Sequence, residues 1–208
     1  MSNQHAPVEL LIATYNQGKV REMRALLAAF TWLRLRSLAE FTHVEAVEET
    51  GSTFTANAIL KAESYSRQCG LLTLADDSGL EVDALHGAPG VFSARYGGPG
   101  LTDAQRAERL LAELAATDED SRRARFVCAV ALAQPMGEQP VIFQGVCTGS
   151  ISHEPRGLRG FGYDPIFLPD GYAQTFGELS DEVKQLVSHR ARALEAVRLY
   201  LARRFSAH

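Results

Sequence analysis

The sequence is poor in the features that mark several protein classes. Three cysteines, Cys69, Cys128 and Cys147, stand among 208 residues, odd in number, far apart and in no CxxC or zinc-type spacing. That excludes a disulfide framework and a structural zinc site, and fits reduced thiols in a cytoplasmic protein. No apolar run approaches the roughly 20 residues of a membrane span, so no membrane partner is expected. The stretch MSNQHAPVELLIAT has neither the basic n-region nor the long h-region of a signal peptide, again an expectation of the cytoplasm. Basic charge is not in excess. Lys and Arg number 21 against 25 Asp and Glu, giving a net charge of -4 and a pI of about 5.9. This argues against general nucleic-acid binding, but not against small anions held by a few local groups. Internal repeats and low-complexity segments are absent as well.

What is present is an ordinary globular composition, 46% hydrophobic and 22% charged. The length suits a single domain over residues 1–208, with two lobes as the expected arrangement. Val8 to Thr14 is a short apolar run before Asn16 and Gly18, which predicts a strand and a turn. Val20, Met23, Leu26, Leu27 and Phe30 then recur at helical spacing over 17–30. Trp32 to Leu38 reads as a second strand. Phe54, Ala58, Ala62 and Tyr65 mark a helix ending at Gly70, and Leu71 to Ala75 a buried strand. Residues 102–115 read as a helix. Phe126 to Ala133 and Val141 to Val146 read as a hairpin, and Val183 to Leu201 as a helical region. Alternation early and pairing later predict an α/β fold around a mixed sheet.

Three stretches carry chemical signal. In TYNQGK, Thr14 to Lys19, a strand–loop–helix junction offers free backbone N–H groups, and Gly18 permits close approach of a ligand. Lys19 opposes the helix dipole there unless an anion sits nearby. The spacing is not that of a Walker loop. The plainer reading is an ordinary turn with a solvated lysine. In EETGSTFTANAILKA, Glu48 and Glu49 precede a turn, Ser52 or Thr53 can cap a helix, and Asn57 and Lys61 share a face. Here the plainer reading is a charged loop and a solvated helix face.

The third stretch is LADDSGLEV. Two adjacent carboxylates, Asp76 and Asp77, follow an apolar run and are expected at a strand tip, where open α/β sheets bind ligands. Close carboxylates repel unless a cation joins them, and Mg2+ suits such a site. One of the pair could also orient or deprotonate a water. The competing reading is a β-turn with an Asp cap. Later, GFGYDPIF offers a loop with exposed aromatics and Asp164, and SHRARAL supplies His189 and Arg190 as donors. Loop packing and a solvated helix face are the plain alternatives. The conjunction of lysines, carboxylates and a base-sized aromatic loop points to a nucleoside triphosphate.

In this order and at these lengths, LIATYNQGKVRE, EETGSTFTANAILKA, ADDSGLEVDALHGAPGVFSARYGG, GFGYDPIF and KQLVSHRARAL make the chain resemble the inosine triphosphate pyrophosphatase family. The resemblance runs from about Val8 to Leu201. It implies an elongated mixed β-sheet flanked by helices, a homodimer, and Mg2+-dependent cleavage of non-canonical purine nucleoside triphosphates (ITP, dITP, XTP) to monophosphate and pyrophosphate. It implies phosphate binding by Thr14, Tyr15, Asn16, Gln17, Gly18 and Lys19, with Lys61. The matching metal ligands are Glu48 and Asp77, with Asp76 adjacent. Asp77 matches the proton acceptor and Ser78 a substrate contact. Phe161, Gly162, Tyr163, Asp164, Lys184, His189 and Arg190 match the base site. The chain departs from the common pattern at Tyr15, where the family often has glycine, and at Gly177 and Gln185. A tyrosine strained at positive φ being costly, Tyr15 is expected at negative φ with its ring away from the phosphates. Two other readings compete: a magnesium nucleotide hydrolase of pyrimidine or modified-nucleotide specificity, and a non-catalytic nucleotide sensor.

Overall fold

Strand β1 (Val8–Ile12) is the anchor of one half of the molecule, because Leu10, Leu11 and Ile12 are wholly buried. The computed structural model describes residues 7–116 and 118–205; the first six residues of the stretch read for a signal peptide lie outside them. Elements follow as α1 (Gln17–Leu27), β2 (Leu33–Ser37), α2 (Phe54–Cys69), β3 (Leu72–Val82), α3 (Asp103–Glu113), β4 (Arg123–Ala133), β5 (Val141–Ile151), β6 (Phe167–Pro169), α4 (Asp181–Val187) and α5 (His189–Phe205). The six strands form one sheet in the order β2-β1-β3-β4-β5-β6. β1 runs parallel to β2 and β3, whereas β5 and β6 are antiparallel, so the sheet is mixed as expected. Among the described residues no helix is long and apolar enough to cross a membrane.

The chain divides into two compact units. The first holds the described residues up to Asp77, Ala129–Phe143, and those from Leu194 on. In it, α1 buries Val20, Met23 and Leu27, and α2 buries Phe54, Ala58, Ala62 and Tyr65, the stripes that helical spacing predicts. Thr53 caps α2 through Ala56 N, and Gly70 closes it at φ 66. α1 stops at Leu27, three residues short of the expected end. There Phe30 N turns back to Leu27 O, and the Phe30 ring tilts against Trp32 with centroids 5.0 Å apart.

The second unit comprises Ser78–Cys128 and Gln144–Ala193. Its core joins Leu80 and Val82 of β3, Leu110 of α3, Phe126 of β4, Ile151 of β5, and Tyr163, Phe167 and Phe176. Arg122 is buried here. Its guanidinium donates to the carbonyls of Leu114, Ile151 and Ser152 at 2.7–2.9 Å, which satisfies both the charge and otherwise open backbone acceptors. The C-terminal helical region is two helices, because Ser188 is extended and its Oγ accepts from Ala191 N at the start of α5.

One correction bears on function. The strand does not end at Ala75 with the carboxylates at its tip, and the competing β-turn does not form either. Strand β3 passes straight through Asp76-Asp77-Ser78-Gly79 to Val82. β3 lies between β1 and β4, so pairing on both sides overrides the local turn preference of these residues. The expectation of a strand end survives in another form. Parallel β1 finishes opposite Leu74, at Ile12, so the two carboxylates lie just past its carboxyl end, beside the loop that enters α1.

Candidate functional site

Two groups of the residues singled out by sequence come together, one in each unit. In the first unit, the loop after β1 is ordered by its own side chains. Asn16 N donates to Thr14 Oγ1 at 3.2 Å, Gln17 Nε2 donates to the Tyr15 carbonyl at 3.4 Å, and Asn16 Oδ1 accepts from Lys19 N at 3.1 Å as the cap of α1. Lys19 then reaches the buried Asp76, with Nζ 2.9 Å from Oδ2. The cation that opposes the helix dipole is therefore matched by a carboxylate from β3. His86 is the only non-glycine residue at positive φ among the described residues, so Tyr15 is unstrained as expected, and its side chain is exposed.

Asp77 is held from α2. Lys61 Nζ lies 3.2 Å from Asp77 Oδ1, and Asn57 Nδ2 donates to Asp77 Oδ2 at 3.1 Å. Lys61 also pairs with Glu49 at 2.5 Å. Asn57 and Lys61 are buried, so the solvated-face reading of α2 is excluded. Burial pushes the Asp77 carboxyl above its ordinary range, against the pull of Lys61 and Lys19. Burial also works against the Lys61 ammonium, but the carboxylates of Asp77, Asp76 and Glu49 outweigh it and its pKa rises. A buried lysine, Lys61, a half-buried one, Lys19, and two buried carboxylates thus share this part of the unit, with ammonium groups suited to phosphate and hard oxygen donors of the kind that suits Mg2+. Glu48 is exposed, with its carbonyl accepting from Thr50 N. Among the described residues no three Asp, Glu, His or Cys side chains are grouped closely enough to hold a metal by themselves.

In the second unit, Lys184 on α4 and Arg190 on α5 flank the ring of Phe161. Lys184 Nζ is 4.9 Å and Arg190 Cζ 5.7 Å from its centroid. Asp164 is buried and binds Lys184 Nζ at 2.6 Å and the Phe161 N–H at 2.7 Å. The loop can close this tightly because Gly160 has φ 77 and a Cβ there would strike the Asp164 carboxylate. Arg190, 1% exposed, donates to Ser78 Oγ at 2.8 Å. His189 stacks on Phe126, with centroids 4.7 Å apart and planes at 12°. Both residues are therefore interior, not a solvated helix face. Tyr163 is not an exposed aromatic: it packs in the core, and its hydroxyl donates to the Ser93 carbonyl at 3.0 Å. Asp103 accepts from Gly162 N at 2.8 Å, a tether from α3 to the loop.

Sequence reading singled out the partners but not all the supports. Glu49, Asn57, Asp103, Phe126 and Phe176 were not assigned to a site. Asn57 carried the only usable signal, its place four residues before Lys61 on one helical face.

Fold and site together define a mixed-sheet α/β protein with a buried lysine–carboxylate group suited to a polyanion and a separate cation-flanked aromatic group suited to a planar ring. The chain belongs to the Ham1 family, whose model matches residues 10–200. It is 50% identical over 187 residues to a Bacillus cereus protein named dITP/XTP pyrophosphatase, covering 89% of this chain and 91% of that protein. A Coxiella burnetii protein of the same name is 44% identical over 199 residues, covering 95% and 98%. Among solved structures, a HAM1 protein from Coxiella burnetii superposes with a TM-score of 0.86 at 44% identity, over 94% of this chain and 99% of that one. The Ham1 protein of Staphylococcus aureus gives 0.82 at 40% identity, over 93% and 97%. The family resemblance read from the motifs is thereby borne out.

Proposed function

We propose that this chain is a nucleoside triphosphate pyrophosphatase that hydrolyses non-canonical purine nucleotides, ITP, dITP and XTP, to the monophosphate and pyrophosphate. The observation that carries the proposal is the pairing of Lys19 with Asp76 and of Lys61 with Asp77, both carboxylates being buried. Relatives at up to 50% identity named dITP/XTP pyrophosphatase support it. In this reading the 208 residues work as one functional domain.

Thr14 to Lys19 present N–H groups and an ammonium to the triphosphate, with Lys61 opposite. Asp77 orients a water for in-line attack on the α-phosphorus and takes its proton, while the bond to the β-bridging oxygen breaks and pyrophosphate leaves. Lys19 and Lys61 turn from their carboxylates to the charge that develops on the leaving group. Asp77, Asp76 and Glu48 are the residues that would hold Mg2+. Such an ion is ordinarily held by one or two carboxylates plus substrate phosphates, so a third grouped carboxylate is not required. When bound, it neutralises phosphate charge.

Phe161, with Gly162, Tyr163 and Asp164 shaping its loop, offers a face to the purine. Lys184, His189 and Arg190 provide donors for a 6-oxygen, and Ser78 is held ready by Arg190. Adenine presents an amino donor at that position, so donors would face donors. A homodimer in the cytoplasm is part of the same proposal. The test is pyrophosphate release from ITP, dITP, XTP, ATP and dTTP with and without Mg2+. IDP and orthophosphate as primary products, or release without preference among the nucleotides, would count against it.

A further inference from the structure

Asn57 is wholly buried, and its neighbours leave its amide only one orientation. The Gly51 N–H can only donate, so the Asn57 atom 2.7 Å away must be the carbonyl Oδ1. The NH2 end then faces Asp77 Oδ2 at 3.1 Å. An acceptor on one side and a donor on the other is a requirement that ionised aspartate, alanine and leucine cannot meet. The approach is also as close as backbone allows. A Cβ on Gly51 would lie 2.6 Å from Asn57 Oδ1 and 2.8 Å from Ala56 Cβ.

Asn57 and Lys61 sit one turn apart on α2 and take the two oxygens of Asp77, Oδ2 and Oδ1 respectively. A carboxylate held at one oxygen swings readily, because the terminal torsion of Asp is broad. Held at both oxygens from one rigid helix, it has one orientation. The same amide grips the backbone of Gly51, directly after Glu48, Glu49 and Thr50. We propose that Asn57 is a positioning residue that fixes the rotation of the Asp77 carboxylate and ties the 48–51 loop to it, so that the two acidic segments keep one register. The proposal rests on the role of Asp77 given under the proposed function, but the link itself can be read without turnover.

The test uses the full chain with Asn57→Ala, Asn57→Asp and Gly51→Ala, the last of which pushes against the amide and the start of α2 from the loop side while leaving every site side chain chemically unchanged. Two quantities are read: steady-state hydrolysis of ITP, and binding of Mn2+ alone, followed by electron paramagnetic resonance. All three variants should lower kcat by about 10–100-fold, as a misplacement of about 1 Å does, with KM for ITP held within about threefold. Mn2+ should bind about 10–100-fold more weakly, the usual effect of losing an outer support of a metal ligand. In an Asp77→Asn background, Asn57→Ala should add less than about twofold to either loss, since coupled residues are not additive. Folded variants, checked by thermal unfolding, that keep both kcat and Mn2+ affinity within about twofold of wild type overturn the proposal. If Asp77→Asn itself hydrolyses ITP at the wild-type rate, the functional reading has failed, and the Mn2+ titration of Asn57→Ala and Gly51→Ala alone decides the positioning link.

Discussion

Lys61 on α2 and Asp77 on β3 meet at 3.2 Å in an interior where neither is more than marginally exposed. Burial raises the Asp77 pKa even with two lysines nearby, whereas Asp77, Asp76 and Glu49 raise that of Lys61, so the fold works against the charge of one partner and favours that of the other. Activity and the pH dependence of stability are therefore the two readouts of this pair.

Asp77→Asn should lower kcat for ITP by roughly 10²–10⁴, the contribution of a general base, with the loss of a metal ligand adding to it. A folded-state pKa above the unfolded value means that ionising Asp77 costs stability once the pH rises through the folded pKa, and costs nothing below the ordinary carboxylate range near 3.8. The midpoint of the Asn variant minus that of wild type should thus grow from pH 4 to pH 7. A variant that is active, or one whose midpoint deficit deepens over that span, contradicts the assignment.

Lys19→Met should destabilise strongly. It strips the wholly buried Asp76 side chain of the ammonium at 2.9 Å. Breaking such a pair costs about 3–5 kcal/mol, readable by urea unfolding. Adding Asp76→Asn should recover much of the loss, because the buried charge goes with it. No recovery in the double variant would show that the Lys19 contribution is packing alone.

Arg190→Ala should erode discrimination between ITP and ATP rather than scale both down. The guanidinium flanks the Phe161 ring and holds Ser78. A ratio of kcat/KM values reduced about tenfold or more is the expected result, given the 10⁴–10⁵ that buried donor sites can reach. Equal falls for both nucleotides would remove Arg190 from base reading.

Tyr15→Gly should leave KM for ITP within a few-fold, since the backbone at Tyr15 is not in the left-handed region and the loop's hydrogen bonds come from Thr14, Asn16 and Gln17. Stability should fall by about 0.4–1 kcal/mol through the freer unfolded chain. A larger change in KM would mean that the ring itself contacts the nucleotide.

Much of the fold was legible because its signals are local. The stripes of α1 and α2, the Thr53 cap and the Gly70 stop all follow from neighbours within a few residues. The continuation of β3 through Asp76-Asp77-Ser78-Gly79, past the expected strand tip, is not legible for the opposite reason. The local preference of these residues is a turn, and the decision lies with β1 and β4 on either side, which nothing nearby in the sequence specifies. The site divides in the same way. Lys19, Lys61, Asp76 and Asp77 stand out as misplaced charges, each odd in its local setting. Asn57 and Phe126 do not, since a buried amide or ring acquires meaning only from the group it touches, and those groups are 20 and 63 residues away, at Asp77 and His189.

The ion pair at the head of α1 has a consequence for the order of assembly. That helix has no acidic residue in its first turn, carries Lys19 there, and is capped only by Asn16. Its dipole is answered by Asp76, which the ribosome delivers 57 residues after Lys19. A nascent chain that has not yet emerged through β3 holds the start of α1 without its counter-charge, and β1 without its inner parallel neighbour. The first turn of this protein is thus written early and completed late, and a truncation before Asp76 should leave the amides of residues 17–20 open to solvent exchange.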